Sequence, residues 1–289
     1  ADTEIAGAGA ILRNRMRDLV RNNPHAAKAV AVWVNNIVGD GFTPYANTGD
    51  PALNKRIDDL WADWSAQCDA DGRGDFHALT TLAVREMVES GEVLTRRRRR
   101  SASAGLPVPM QIQILEIDHL DESRIEANRG DGGRTVRGIE YDRFGRRTSY
   151  WLFPDHPGDI GVALSINRSS VRVPAEQIIH LYRRDRVQQR GVPWGSPVIR
   201  GLRDLDDWTQ AELVRKKTEA CLVGIVTGAD DGEQGIAPSV TDSDGRVIEQ
   251  FEPGLIAYAR GAKSIDFNQP APVSGMSEWL RTQLHIIAA

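Results

Sequence analysis

An α+β fold is predicted from three observations on this sequence. Apolar residues recur at three- and four-residue steps up to Ser90, strand-like alternation takes over from Glu92, and a long helix beginning near Ser196 is followed by a short β-like region and a second helix. The order of these patterns, helices before strands, favours segregated elements over a regularly alternating parallel sheet.

Taken in order, residues 11–21 form a helical pattern with Leu12, Met16, Leu19 and Val20 on one side, stopped by Asn22, Asn23 and Pro24. Pro24 opens a second helix, because its missing N–H is not needed in a first turn, and Val30, Val34 and Val38 carry that helix to Gly39. Residues 51–68 give a third helix with Leu53, Ile57, Leu60, Trp61 and Trp64 at helical spacing, the tryptophans reading as core. A fourth runs from Phe76 to Ser90 and ends at Gly91. Glu92 to Arg100 reads as a strand ending in five arginines, paired as a hairpin with the alternating stretch MQIQILEIDHL after a Ser/Gly/Pro turn. Further strands are expected at Arg137 to Tyr141 and Arg147 to Phe153, joined by Asp142-Arg143-Phe144-Gly145, and at residues 178–182. Asp155 to Arg168 is loop-like.

The long helix is expected to start at Ser196-Pro197, a side-chain oxygen for the N-cap followed by a proline. Val198, Ile199, Leu202, Leu205, Trp208, Thr209 and Leu213 form its apolar stripe. Strand-like pieces at Leu222 to Thr227, Val247 to Phe251 and Gly254 to Ala259 surround a polar loop from Gly228 to Gly245, and a last helix carries Met276, Trp279, Leu280, Leu284 and Ile287 on one face. That helix stops without a capping residue, so the chain reads as a piece of a longer protein.

Composition narrows the function classes. With Lys+Arg 36 against Asp+Glu 40 and a net charge of −4 over 289 residues, the chain does not grip nucleic acid over its whole surface, and any basic contact is local. Two cysteines, Cys68 and Cys221, are too few for a disulfide scaffold and are expected to be reduced. No stretch reads as a membrane span or signal peptide. Asp69 to Asp75 has carboxylates at alternate positions, as a calcium loop does, but Arg73 and Thr80 stand where ligands are needed, so it reads as a polar loop between helices. The histidines are scattered, and no nucleophile elbow, phosphate loop or dinucleotide fingerprint is present, so no catalytic residue, metal or cofactor is assigned. Asp118, His119 and Asp121 at a strand end are the residues on which a metal-dependent nucleic-acid hydrolase would rest. A simple DNA-binding adaptor is a further alternative, which predicts a steep salt dependence of DNA binding by the isolated subunit. In a strand, Arg96, Arg98 and Arg100 share one side, which makes them candidates for inter-subunit or DNA contact.

Several segments together resemble the lambda-like family of bacteriophage portal proteins: NPHAAKAVAVWVNNIVGDGFTP (23–44), LEIDHLD (115–121), GIEYDRFGRRTSYWLF (138–153), VPAEQIIHLYRRDRVQQRGVPWGSPVI (173–199) and residues 202–228. The resemblance implies a portal fold in which residues 1–190 form the wing, 191–221 the first stem helix, 222–270 a small β-rich clip and 271–289 the start of the second stem helix. The tunnel loop, the rest of the wing and the crown would lie outside the chain. It also implies a homo-oligomeric ring, usually a dodecamer, at a capsid vertex of a virion assembled in the bacterial host cytoplasm. That ring would conduct double-stranded DNA during packaging and ejection. Its implied partners are the terminase large subunit, the major capsid protein and the head-completion and tail-adaptor proteins of the head-tail connector, with no membrane and no enzymatic activity. In that setting Arg200, Arg203, Asp204, Asp207, Arg215, Lys216, Lys217 and Lys263 are candidates for channel or inter-subunit contacts, and the apolar stripe of the long helix is expected to face neighbouring stems.

Overall fold

The computed structural model describes residues 2–159, 169–220, 224–228, 256–258, 262–267 and 275–288. It divides into two compact units, Ala1–Ile199 and Arg200–Ala289.

The first unit begins with four helices: α1 (Asp2–Asn22), α2 (Pro24–Val38), α3 (Pro51–Ser65) and α4 (Phe76–Glu89). Each of the last three is started by a side chain that accepts from otherwise unpaired N–H groups: Asn23 from His25 and Ala26, Asp50 from Ala52 and Leu53, and Asp75 from Ala78. Met16 and Val20 of α1 and Ala26, Val30, Val34 and Val38 of α2 are buried, the i, i+4 ridge the periodicity requires. Helix α1 starts nine residues before its clear apolar pattern, because in DTEIAGAGA Ile5 is the one large apolar residue and there is no stripe to read.

Seven strands follow: β1 (Glu92–Arg99), β2 (Met110–Glu116), β3 (Arg134–Val136), β4 (Ile139–Tyr141), β5 (Arg147–Leu152), β6 (Val171–Pro174) and β7 (Ile178–Tyr182). They make two antiparallel sheets, β2-β1-β7 and β3-β4-β5-β6. Leu94, Leu115 and Ile178 from the first sheet meet Ile139, Tyr141, Tyr150, Leu152 and Val173 from the second in one core. The expected hairpin of β1 with β2 is present, and so is the turn at Asp142, whose carboxylate accepts from Phe144 and Arg146 N–H. The strand expected to begin at Arg137 instead begins at Ile139. Arg137 at φ 48° and Gly138 at φ 83° form a two-residue turn between β3 and β4, a backbone that suits a twisted hairpin.

Trp64, Cys68 and Leu79 form a second core on which Trp61, Phe76, Met110, Ile112 and Ile114 pack. The tryptophan pair is therefore core, with Trp61 and Trp64 rings 5.1 Å apart and Trp64 Nε1 donating to Met110 O at 2.7 Å. Burial raises the Cys68 thiol to about 11, so it stays protonated and unreactive at neutral pH. Cys221 lies outside the described residues.

The stretch from Asp69 to Asp75 is a loop organised from within. Asp69 is 5% exposed, and its carboxylate accepts from the N–H groups of Asp71, Arg73 and Gly74 at 2.8–3.0 Å. Its oxygens are thus already used by the backbone. Asp69→Ala is expected to lower stability by about 1–3 kcal/mol through unsatisfied buried donors, with no change in calcium binding; a calcium titration that shifts the wild-type melting temperature would contradict this reading.

The second unit contains nearly all of α5 (Ile199–Ala220), then β8 (Gly224–Gly228), β9 (Ile256–Tyr258), β10 (Ala262–Phe267) and α6 (Met276–Ala288). Strand β8 is central, antiparallel to β10 and parallel to β9. The expected strand at Val247 to Phe251 and the polar loop lie outside the described residues, as does most of the loop from Asp155 to Arg168. Trp208 of α5 and Trp279 of α6 stack with ring centroids 4.0 Å apart, and a Cβ on Gly201 would stand 3.6 Å from Ile287. Position 208 meets 279 and 201 meets 287, so the two helices run antiparallel.

Helix α5 does not start at Ser196. The Ser196 hydroxyl donates to Pro193 O at 2.6 Å, and Val198 and Ile199 N–H groups donate to Gly195 O, so residues 193–198 form a tight turn and the helix begins at Ile199. Among the described residues no helix is long and apolar enough to cross a membrane.

Candidate functional site

The segment that leads into α5 is fastened to the sheet by a buried charge cluster. Glu92, at the start of β1, is 2% exposed. Its two carboxylate oxygens share the one N–H of Arg190 Nε at 2.9 and 3.0 Å and accept from Arg190 Nη2 at 2.7 Å and the Gly191 N–H at 2.9 Å. His180 Nε2 lies 3.0 Å from the same carboxylate, since β7 pairs beside β1. Arg190 also donates to Glu122 at 2.7 Å, and Glu122 is paired with Arg137. Burial alone would raise the Glu92 pKa, but Arg190 and His180 outweigh it and hold the carboxyl at about 2. Burial lowers the His180 pKa despite Glu92, which favours the neutral ring.

Arg147 extends the cluster. It donates to Tyr150 Oη at 3.1 Å, Tyr182 Oη at 2.9 Å and Gln189 O at 2.8 Å, and stands 3.1 Å from His180 Nδ1. Gly91 and Gly191 make the close approach possible: a Cβ on Gly191 would fall 2.1 Å from Gly91 O. A cavity of about 390 Å³ lies beside the cluster, but Glu92, Glu122, Arg137 and Arg190 on its wall are already paired with one another. The sequence showed Arg190 only as one of several basic residues; Glu92 and His180 carry no local signal of their role.

At the acidic strand end the carboxylates are paired with arginines. Asp118 pairs with Arg13 at 3.3 Å and Arg17 at 2.9 Å, and Arg17 also holds Glu116 at 2.7 Å. Burial opposes ionisation of Asp118, yet Arg13 and then Arg17 keep its carboxyl below the usual range. Glu116, Asp118 and His156 converge closely enough to face one ion, but the two guanidinium groups already neutralise the carboxylates. Asp121 accepts from Ser123, Ser170 and Arg124, and His119 Nδ1 lies 3.0 Å from Phe153 O. The three residues of the hydrolase reading thus face separate partners, each structural.

Along α5, Arg200, Arg203, Asp204, Asp207, Lys216 and Lys217 are exposed. Arg215 is half-buried and pairs with Glu212 at 2.6 Å. The apolar stripe is divided: Ile199, Leu202 and Leu205 are buried within the chain, whereas Leu213 and Val214 are 54% and 62% exposed. Lys263 lies in β10, its side chain outside the described residues. In β1, Arg96 and Arg98 share a face and are half-buried, as is Arg100 just beyond the strand end, while Arg97 and Arg99 on the other face are exposed.

The sequence profile described as phage portal protein, lambda family, matches residues 1–289. The chain belongs to this family. Its members are structural rather than catalytic. A probable portal protein of Halomonas phage phiHAP-1 is 27% identical over 278 residues, covering 90% of this chain and 52% of the relative. The chain therefore spans about half the length of that portal protein. Among solved structures, a chain of the virion of a native gene transfer agent particle aligns with TM-score 0.52 at 14% identity, covering 96% of this chain and 66% of that one. A chain from the neck of the empty particle, computed with C6 symmetry, aligns with TM-score 0.54 at 13% identity, covering 94% and 67%. One from the neck of the native particle, computed with C12 symmetry, gives 0.52 at 13%, covering 94% and 66%. These likenesses show that the fold is shared with chains of those particles.

Proposed function

We propose that this chain is a subunit of a ring, of about twelve copies, at one capsid vertex, and that double-stranded DNA passes through the ring during packaging and ejection. The family match over the whole chain carries this reading; the C12 symmetry of the neck in which a structural neighbour sits supports the number. The ring would dock the terminase large subunit during packaging and later the head-completion and tail-adaptor proteins, within a shell of major capsid protein.

Residues 1–190 would be the wing, 191–221 and 271–289 the two stem segments and 222–270 the clip. The antiparallel pairing of α5 with α6 supports a two-helix stem, since the strands between them then project from one end. The exposed Leu213 and Val214 would contact the next stem. Exposed Arg200, Arg203, Asp204, Asp207, Lys216 and Lys217, with Arg215 and Lys263, would face either the channel or a neighbour. A mixed-sign lining suits a channel that must let DNA slide, because each fixed phosphate contact adds a barrier to movement.

Negative-stain electron microscopy of the purified protein should show rings with a central hole. Asymmetric monomers under every assembly condition would refute the proposal.

A further inference from the structure

The five arginines of the β1 end were the strongest local charge in the sequence. In the structure Arg100 is tied down, donating from Nε to Gln111 Oε1 at 2.8 Å and approaching Ala70 O at 3.4 Å. The other four are different. Among the described residues none of Arg96, Arg97, Arg98 and Arg99 pairs with a carboxylate. Their partners across the strand pair are neutral: Gln113, Ile112, Gln111 and Met110. On the other side β7 begins at Ile178 opposite Arg96, so beyond that point β1 and β2 continue as a two-stranded ribbon. The nearby Asp69 is committed to backbone N–H groups. Arg96 lies partly buried beside Arg98, whose charge adds to the burial in disfavouring its protonated form.

Arginines two apart on one strand face stand about 6.8 Å from each other, so the array is self-repelling and, among the described residues, uncompensated. An external anion is what such an array lacks. That spacing is comparable to the separation of successive phosphates along one DNA strand. A guanidinium fork matches phosphate oxygens in two-pronged geometry.

We propose that the arginine ribbon at Arg96–Arg99 is a sequence-independent binding surface for the phosphate backbone of double-stranded DNA, with Arg97 and Arg99 making the exposed contacts. It rests on the portal reading in one respect, that duplex DNA is brought to this protein. Contacts of this kind position without reading sequence.

The test measures binding of a short mixed-sequence duplex by the full chain as a function of salt, with polyglutamate titrated in parallel. Arg97→Gln with Arg99→Gln should lower the slope of log affinity against log salt by about 1.8, at about 0.9 per phosphate contact, and Arg97→Lys with Arg99→Lys should preserve the slope. Both variants should melt like wild type, since these side chains are exposed. An unchanged slope in the glutamine variant overturns the proposal, as does a loss confined to polyglutamate binding, which would assign the surface to an acidic protein. Rings counted on the same preparations separate the two ideas: normal rings with an unchanged DNA slope reject the ribbon and leave the portal reading standing.

Discussion

Replacing Glu92 with alanine is expected to lower stability by about 3–5 kcal/mol, the range for removing one partner of a buried ion pair. The carboxylate satisfies Arg190, His180 and the Gly191 N–H at once, and without it Arg190 keeps only Glu122. Urea denaturation followed by tryptophan fluorescence would show a lower midpoint; a shift of under about 1 kcal/mol would mean that the clasp is open to water. The acid limb of stability follows from the same residue. Its carboxyl titrates at about 2 when folded and near 4.5 when free, so its contribution is complete above pH 4.5 and is lost as pH falls toward 2. His180, whose pKa is lowered by folding, acts in the same direction, its contribution fading below the free value of 6.5. Glu92→Gln should flatten the pH dependence below 4.5 while leaving the part due to His180.

The second large effect is expected at Gly91→Ala. Gly91 sits at φ +90°, and a Cβ there would stand 2.3 Å from Val192 C and 2.5 Å from Pro193 N, both backbone atoms that cannot swing aside. Strain of about 1–3 kcal/mol and overpacking of about 1–3 kcal/mol add to a loss of about 2–6 kcal/mol. Gly105→Ala is the control, since Gly105 has φ +69° but open space around it. It should show the strain alone, and equal losses in the two variants would rule out the close packing of the connector on β1.

What the sequence could reveal here depended on distance along the chain. Helix stops at Asn22 and Gly39, the tryptophan core and the hairpin of β1 with β2 were legible because neighbouring residues decide them. The turn at Arg137-Gly138 was hidden because arginine is an unusual residue for positive φ. Ser196 misled because a serine before a proline has the pattern of a helix cap, while the backbone first closes a tight turn on Pro193 O and Gly195 O and the helix starts at Ile199. Pairing of β7 with β1, and with it the Glu92 cluster, joins residues about ninety positions apart, and no periodicity records that. Of the arginine ribbon, the alternation was readable and the lack of an acidic partner was not. That required knowing that Gln111, Ile112 and Gln113 lie across the strand pair.

The clasp also sets an order of events during synthesis. Glu92 is separated from Arg190 by 98 residues, so the acid emerges from the ribosome long before its counter-charge exists. At about 5–20 residues per second that interval is about 5–20 s. The hairpin of β1 with β2 can form in that time, while the other edge of β1 stays open until residues 178–182 arrive. The last strand to join the sheet is therefore followed within ten residues by the arginine that seals it, and the residues of the long helix are synthesised only after that arginine.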